Sequence, residues 1–145
     1  MPTQVSNHFY GSEQQWLATL TVNGVDYGVF DRFSGGDVSA AVNKHRPGGM
    51  GPEISYLSLP TYSDVSLTKV YETQRDHDRV ATLHTLVGKA LASVTLQPLD
   101  DNGSPWGTPR TYQGRLVAVK DGGTDSQSNA ARMFEVDLSV ETVTN

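Results

Sequence analysis

Apolar and polar residues alternate with a period of two over most of this chain, the spacing expected where one face of a strand is buried. Trp16, Ala18, Leu20 and Val22 share one face of the first such run, with Leu17, Thr19 and Thr21 on the other. Asn23-Gly24 follows. Both central positions of a tight hairpin need positive φ, so this dipeptide between alternating runs predicts a hairpin whose return strand is Val25 to Phe33. Ser34-Gly35-Gly36 interrupts it. A third strand is expected at Val38, Ala40 and Val42, its small or polar face carrying Ser39, Ala41 and Asn43.

Between Lys44 and Pro60 the pattern lapses. Arg46-Pro47-Gly48-Gly49-Met50-Gly51-Pro52 removes both stiffness and amide donors, which predicts a long flexible loop at about 44–60, with a short strand around Ile54 and Tyr56. Alternation resumes from Asp64 to Glu72, setting Val65, Leu67 and Lys69 against Ser66, Thr68 and Val70. Asp76 to Val87 breaks to spacings of three and four at Val80, Leu83 and Val87. Asp76 is placed as the N-cap and Gly88 as the stop, so one helix with a wet face of Arg79, Thr82 and Thr85 is expected. Three further strands are predicted at Ser93–Leu99, Arg110–Lys120 and Arg132–Val143, the last aligning Phe134, Val136, Leu138 and Val140.

The 145 residues suit a single domain. The 16 valines and 14 threonines are β-branched and favour strands, so the chain reads as mainly β, with one helix lying on a sheet. A net charge of −5 argues against gripping nucleic-acid phosphates. No apolar run approaches the ~20 residues of a membrane helix, no secretory signal is visible at the N-terminus, and without cysteine the fold uses no disulfide.

No catalytic group, metal site or cofactor site is expected. His77 and His84 stand seven residues apart, not the i, i+4 of helical metal pairs. No Gly-x-Ser-x-Gly elbow is present, the Arg46 to Gly49 stretch lacks the Gly-Lys-Ser/Thr ending of a phosphate loop, and Asp121 to Asp125 lacks the acidic spacing of a calcium loop. Trp16, Trp106, Tyr27, Tyr56, Tyr62, Tyr71 and Tyr112 are open to two readings, a stacking platform for sugars or bases, the latter disfavoured by the acidic charge, and an interface between subunits.

Taken in order, the motifs resemble the tail tube proteins of tailed bacteriophages and the related tube proteins of contractile injection and type VI secretion systems. The N-terminal hairpin leads to a strand ending in Lys44-His45-Arg46-Pro47-Gly48-Gly49, then Leu59-Pro60 and Tyr62-Ser63-Asp64-Val65-Ser66-Leu67-Thr68-Lys69. A helix opened by an acidic residue follows, then Leu99-Asp100-Asp101-Asn102-Gly103, and Ser128-Asn129 before the last strand. The sequence departs from that pattern in having Pro60-Thr61 where Pro-Gly is usual.

The resemblance implies an antiparallel β-sandwich or small barrel with one packed helix, a structural, non-enzymatic protein whose copies close into hexameric rings and stack into a hollow tube, in the tail of a virion assembled in the cytoplasm of a bacterial host. Its partners would be further copies of itself and tape-measure, baseplate and terminator proteins, with genomic DNA as passing cargo and not a specific ligand. Ser39, Ala41, Asn43, Asp64, Ser66 and Thr68 are the expected lumen-facing residues; Arg46, Pro47, Gly48, Gly49, Met50, Ile54, Tyr56 and Leu57 are expected to form a loop that touches neighbouring subunits. Two alternatives stand beside it: a secretion-system tube that carries effectors, and a carbohydrate-binding β-sandwich.

Overall fold

The computed structural model describes residues 11–12 and 14–145. Its strands are β1 (Trp16–Val22), β2 (Val25–Phe30), β3 (Arg32–Gly35), β4 (Val38–Ala40), β5 (Asn43–His45), β6 (Ile54–Tyr56), β7 (Pro60–Tyr62), β8 (Val65–Val70), β9 (Leu91–Pro98), β10 (Arg110–Asp121) and β11 (Met133–Thr144), with one helix, α1 (Thr73–Leu86), between β8 and β9. Asn23 and Gly24 take φ of 50° and 82°, as a two-residue hairpin between β1 and β2 requires.

Seven strands form one antiparallel sheet in the order β2-β1-β9-β10-β11-β8-β3. The expected return strand is broken: only Asp31 separates β2, at one end of the sheet, from β3 at the other. The sheet must therefore curl until its ends nearly meet, but the ladder does not close into a barrel. Single contacts bridge the seam. The Asp31 N–H donates to Thr68 O at 2.9 Å, the Val70 N–H to Asp31 Oδ2 at 3.0 Å, and Lys69 Nζ to Tyr27 O at 3.2 Å.

Side chains turned into the curl make the core. Leu20, Val22, Val65, Leu67, Val94, Leu116, Val136 and Leu138 have essentially no exposed surface, and Phe30 meets Phe134 edge to face with centroids 5.6 Å apart. Helix α1 adds Val80 and Leu83 to this core, and its end is tied to β10 by Gly88 N–H donating to Leu116 O at 2.7 Å.

Two further expectations are corrected. The third strand is split into β4 and β5, which belong to two separate two-stranded sheets, β4-β7 and β5-β6, so that within 44–60 only 46–53 and 57–59 lie outside strands. The helix begins a turn earlier than expected, with Glu72 and not Asp76 as N-cap. Asp76 caps from inside: buried, it accepts the Glu72 N–H at 2.9 Å and two Arg75 hydrogen bonds at 2.9 and 2.7 Å. Residue type alone does not separate a cap from a carboxylate that reaches back to one.

Burial opposes the ionisation of Asp76, but the Arg75 and Glu72 hydrogen bonds outweigh it and hold its carboxyl below the usual aspartate range. A depressed carboxyl pKa stabilises the fold above the unfolded-state value and ceases to do so as pH falls through the folded-state value. Asp76→Asn is expected to lower stability at neutral pH by about 1–3 kcal/mol. Its urea midpoint should also drop less than that of the unaltered chain on acidification below about pH 4. Equal acid sensitivity in both proteins would show that Asp76 does not carry this effect.

Candidate functional site

Two features stand apart from the core: an arm of two small two-stranded sheets and the margins of the main sheet. The arm is built by β4 to β7. At its base Val38, Ser39 and Ala40 pair with Tyr62, Thr61 and Pro60; farther out Asn43, Lys44 and His45 pair with Tyr56, Ser55 and Ile54. Asp37 and Ser63 lock the base through two 2.9 Å bonds, Ser63 N–H to Asp37 O and Asp37 N–H to Ser63 Oγ.

Between the two pairings Ala41 and Val42 face three residues, Leu57, Ser58 and Leu59. This one-residue excess makes a bulge. The Ser58 hydroxyl donates to the Ala41 carbonyl, while Leu57 and Leu59 on either side are 102% and 87% exposed. Met50, at the 46–53 tip, is also fully exposed, and Val38 and Val42 are largely so. A two-stranded ribbon is marginal alone, and contiguous exposed aliphatic surface marks a contact site.

Arg46, Pro47, Gly48, Gly49 and Met50 all lie at this tip, Ile54 and Tyr56 on β6, and Leu57 in the bulge. Leu59, Val38 and Val42 belong to the same arm; the sequence pattern left them as ordinary strand or loop positions. The six lumen candidates do not share one surface. Ser39, Ala41 and Asn43 lie on the arm, Asp64 just precedes β8, and only Ser66 and Thr68 lie on the main sheet, on the face of β8 opposite Val65 and Leu67. Ser66 Oγ donates to Asp137 Oδ1 at 2.8 Å, and Asp137 also pairs with Lys120 at 3.3 Å, which raises the Lys120 pKa.

The sheet margins are open. Among the described residues no strand pairs with the outer edge of β2, which meets β8 only through the single contacts of the seam, and within the sheet β8 covers β11 only from Met133 to Leu138, leaving Ser139 to Thr144 without a strand on that side.

Among the described residues Tyr27 and Tyr112 are buried in the core, Tyr71 lies under Arg132 at 4.5 Å and edge-on to Phe134, and Tyr56 lies on the arm, while the exposed Trp16 and Trp106 both flank Pro98, Trp16 paired with it across β1 and β9 and the Trp106 N–H donating to its carbonyl at 3.0 Å. His77 Nδ1 lies 3.3 Å from the Tyr71 hydroxyl and His84 Nε2 lies 3.3 Å from Asp121 Oδ2, so the two imidazoles have separate partners. Among the described residues no three metal-ligating side chains cluster, and no helix is long and apolar enough to cross a membrane.

A cavity of about 560 Å³ opens at the seam, lined by Gly28, Asp31, Lys69, Glu72, Arg75 and Arg79 among others. Burial, with Arg75 adding to it, lowers the Lys69 pKa. Arg75 is taken up by Glu72 at 3.3 Å and Asp76 at 2.7 Å, so the cations and carboxylates here largely neutralise each other.

No protein-family model matches the chain, and no curated protein sequence matches it. Solved structures do. A chain in the cryo-EM structure of the sheath/tube terminator of the extracellular contractile injection system PVC, in the extended state, superposes with a TM-score of 0.77 at 14% identity, covering 96% of this chain and 98% of that one. One in the PVC sheath-tube complex gives 0.70 at 15% identity over 97% and 94%. One in the baseplate of the anti-feeding prophage gives 0.63 at 19% identity over 99% and 96%. From end to end, the chain has a fold shared with chains of contractile injection particles, the group to which its sequence motifs pointed.

Proposed function

We propose that this chain is a structural subunit of a tail tube, its copies closing into hexameric rings that stack into a hollow conduit. The arm is the observation that carries this reading. An isolated copy leaves Met50, Leu57 and Leu59 in water on a ribbon with little support of its own, an arrangement that becomes favourable only when a neighbouring copy or the next ring covers it. The edge of β11 from Ser139 to Thr144, without a partner strand among the described residues, supports the same reading, because unpaired strand edges invite pairing with another chain.

In a bacteriophage tail the tube is part of the virion, built in the bacterial cytoplasm beside tape-measure, baseplate and terminator proteins, with genomic DNA as passing cargo. The similarity to extracellular injection particles favours a second reading, in which the same tube conducts effector proteins. In both the chain is a conduit and not a catalyst.

Negative-stain microscopy of the concentrated, purified chain is expected to show stacked rings with stain-filled centres. A chain that stays monomeric when crowded and when mixed with the other components of its particle would refute the proposal. Co-purification with DNA-filled virions or with an injection apparatus decides between the two cargoes.

A further inference from the structure

The outward face of the main sheet carries a pattern that neither the arm nor the core explains. Strand pairing aligns Thr19 of β1 with Thr95 of β9, Thr95 with Thr111 of β10, and Thr111 with Thr144 of β11, making one row of four threonines across four strands. The adjacent row is Thr21, Ser93, Gln113 and Thr142. Neighbouring strands stand ~4.8 Å apart and residues two apart on a strand ~6.7 Å apart, so the two rows form a lattice of short hydroxyl and amide groups. None of the eight is ionisable, aromatic or aliphatic.

A bulge preserves this arrangement. On β11 the pairing skips Glu141, because Gln113 faces Thr142 while Gly114 faces Val140. Without the skip Thr142 and Thr144 would turn inward. The nearest charges beyond the rows are paired with each other, Arg115 with Glu141 at 3.6 Å, and on β2 the second row ends at Asp26, whose carboxylate accepts the Gly28 N–H at 2.7 Å.

What such a face excludes is as informative as what it offers. A sugar platform uses aromatic rings, a phosphate site uses cations, and a packed protein interface concentrates aromatic, Met and Arg side chains; the two rows contain none of these. β-branched threonines are stiff, so they present hydroxyls to water without flexible groups that could wrap around a passing molecule. The rows run across the strands from β2, where they meet Val29 and Asp26, to the edge of β11 from Ser139 to Thr144, which has no partner strand among the described residues and so can continue onto a second copy. Helix α1 lies on the opposite side, against the core face.

We infer that this hydroxyl face lines the bore, a neutral and non-adhesive wall wetted by solvent and holding no fixed ligand. The inference rests on the tube reading and replaces Ser39, Ala41 and Asn43 with Thr95, Thr111 and Gln113 as the residues nearest the axis.

The chain has no cysteine, so a single introduced thiol reports its own position. Thr95→Cys and Gln113→Cys, with Ala81→Cys on the exposed side of α1 as control, would be assembled and then exposed to a small maleimide and to a maleimide carried on a globular protein too wide for the bore. Assembly should abolish labelling at positions 95 and 113 by the wide reagent, leave labelling by the small one, and leave position 81 open to both. Position 113 is exposed and should accept the change even if position 95 does not. Should the unaltered chain form no rings or tubes, the assembly reading falls and this wall with it. Should tubes form with positions 95 and 113 still open to the wide reagent, the wall assignment alone is overturned.

Discussion

Leu57→Asp combined with Leu59→Asp is expected to leave a folded, soluble monomer that no longer assembles. Neither leucine is part of the core, so the circular dichroism spectrum and melting temperature should stay close to those of the unaltered chain. At a contact each leucine contributes about 1.5–3 kcal/mol on burial. Losing both therefore costs about 3–6 kcal/mol per arm, equivalent to roughly 10²–10⁴-fold in association. Desolvating two carboxylates at the same contact adds a further penalty. Light scattering over a concentration series measures the shift. Tubes of normal length at the usual concentration would show that the arm is not the assembly element.

Gly114→Val should damage the subunit itself. A β-carbon at position 114 would lie 1.7 Å from Ser139 O, 2.7 Å from Ser139 C and 3.0 Å from Val140 Cα, all backbone atoms of β11 that cannot rotate away. Relief requires the two longest strands to separate at the bulge where Glu141 is skipped. A loss of about 4 kcal/mol or more is expected, in the range reserved for severe backbone or core disruption. Gly123→Ala is the matched control: it lies in the exposed loop after β10 with no atom within 4 Å of an added β-carbon, and should shift the urea midpoint little. A Gly114→Val protein with an unchanged midpoint would contradict the close approach of β10 and β11.

Much of the fold is legible in local pattern because local chemistry determines it. Asn23-Gly24 demands its hairpin, Phe134 to Val140 alternate as β11 does, and Val80 and Leu83 find the core at helical spacing. The failures share a cause. Asp31 looks like any polar residue within a strand, and only its pairing with β8 on one side and the departure of β2 on the other make it a corner. Ser39 and Ser66 sit in equally regular runs, yet one belongs to the arm and the other to the main sheet. Alternation says that a strand has two faces; which surface each face joins is decided by partners distant in sequence. The threonine rows are invisible for the same reason, since their members come from four strands spread over more than a hundred residues.

Asp31 has a mechanical consequence. Since one residue joins the first strand of the sheet to the last, those strands are held within about two Cα steps of ~3.8 Å at that corner. The radius to which the sheet bends is then a property of covalent connectivity before it is one of side-chain volume. Core substitutions should soften the subunit without changing that radius, whereas inserting glycines beside Asp31 should let it relax, and a particle assembled from such copies would carry the change as a wider or irregular calibre.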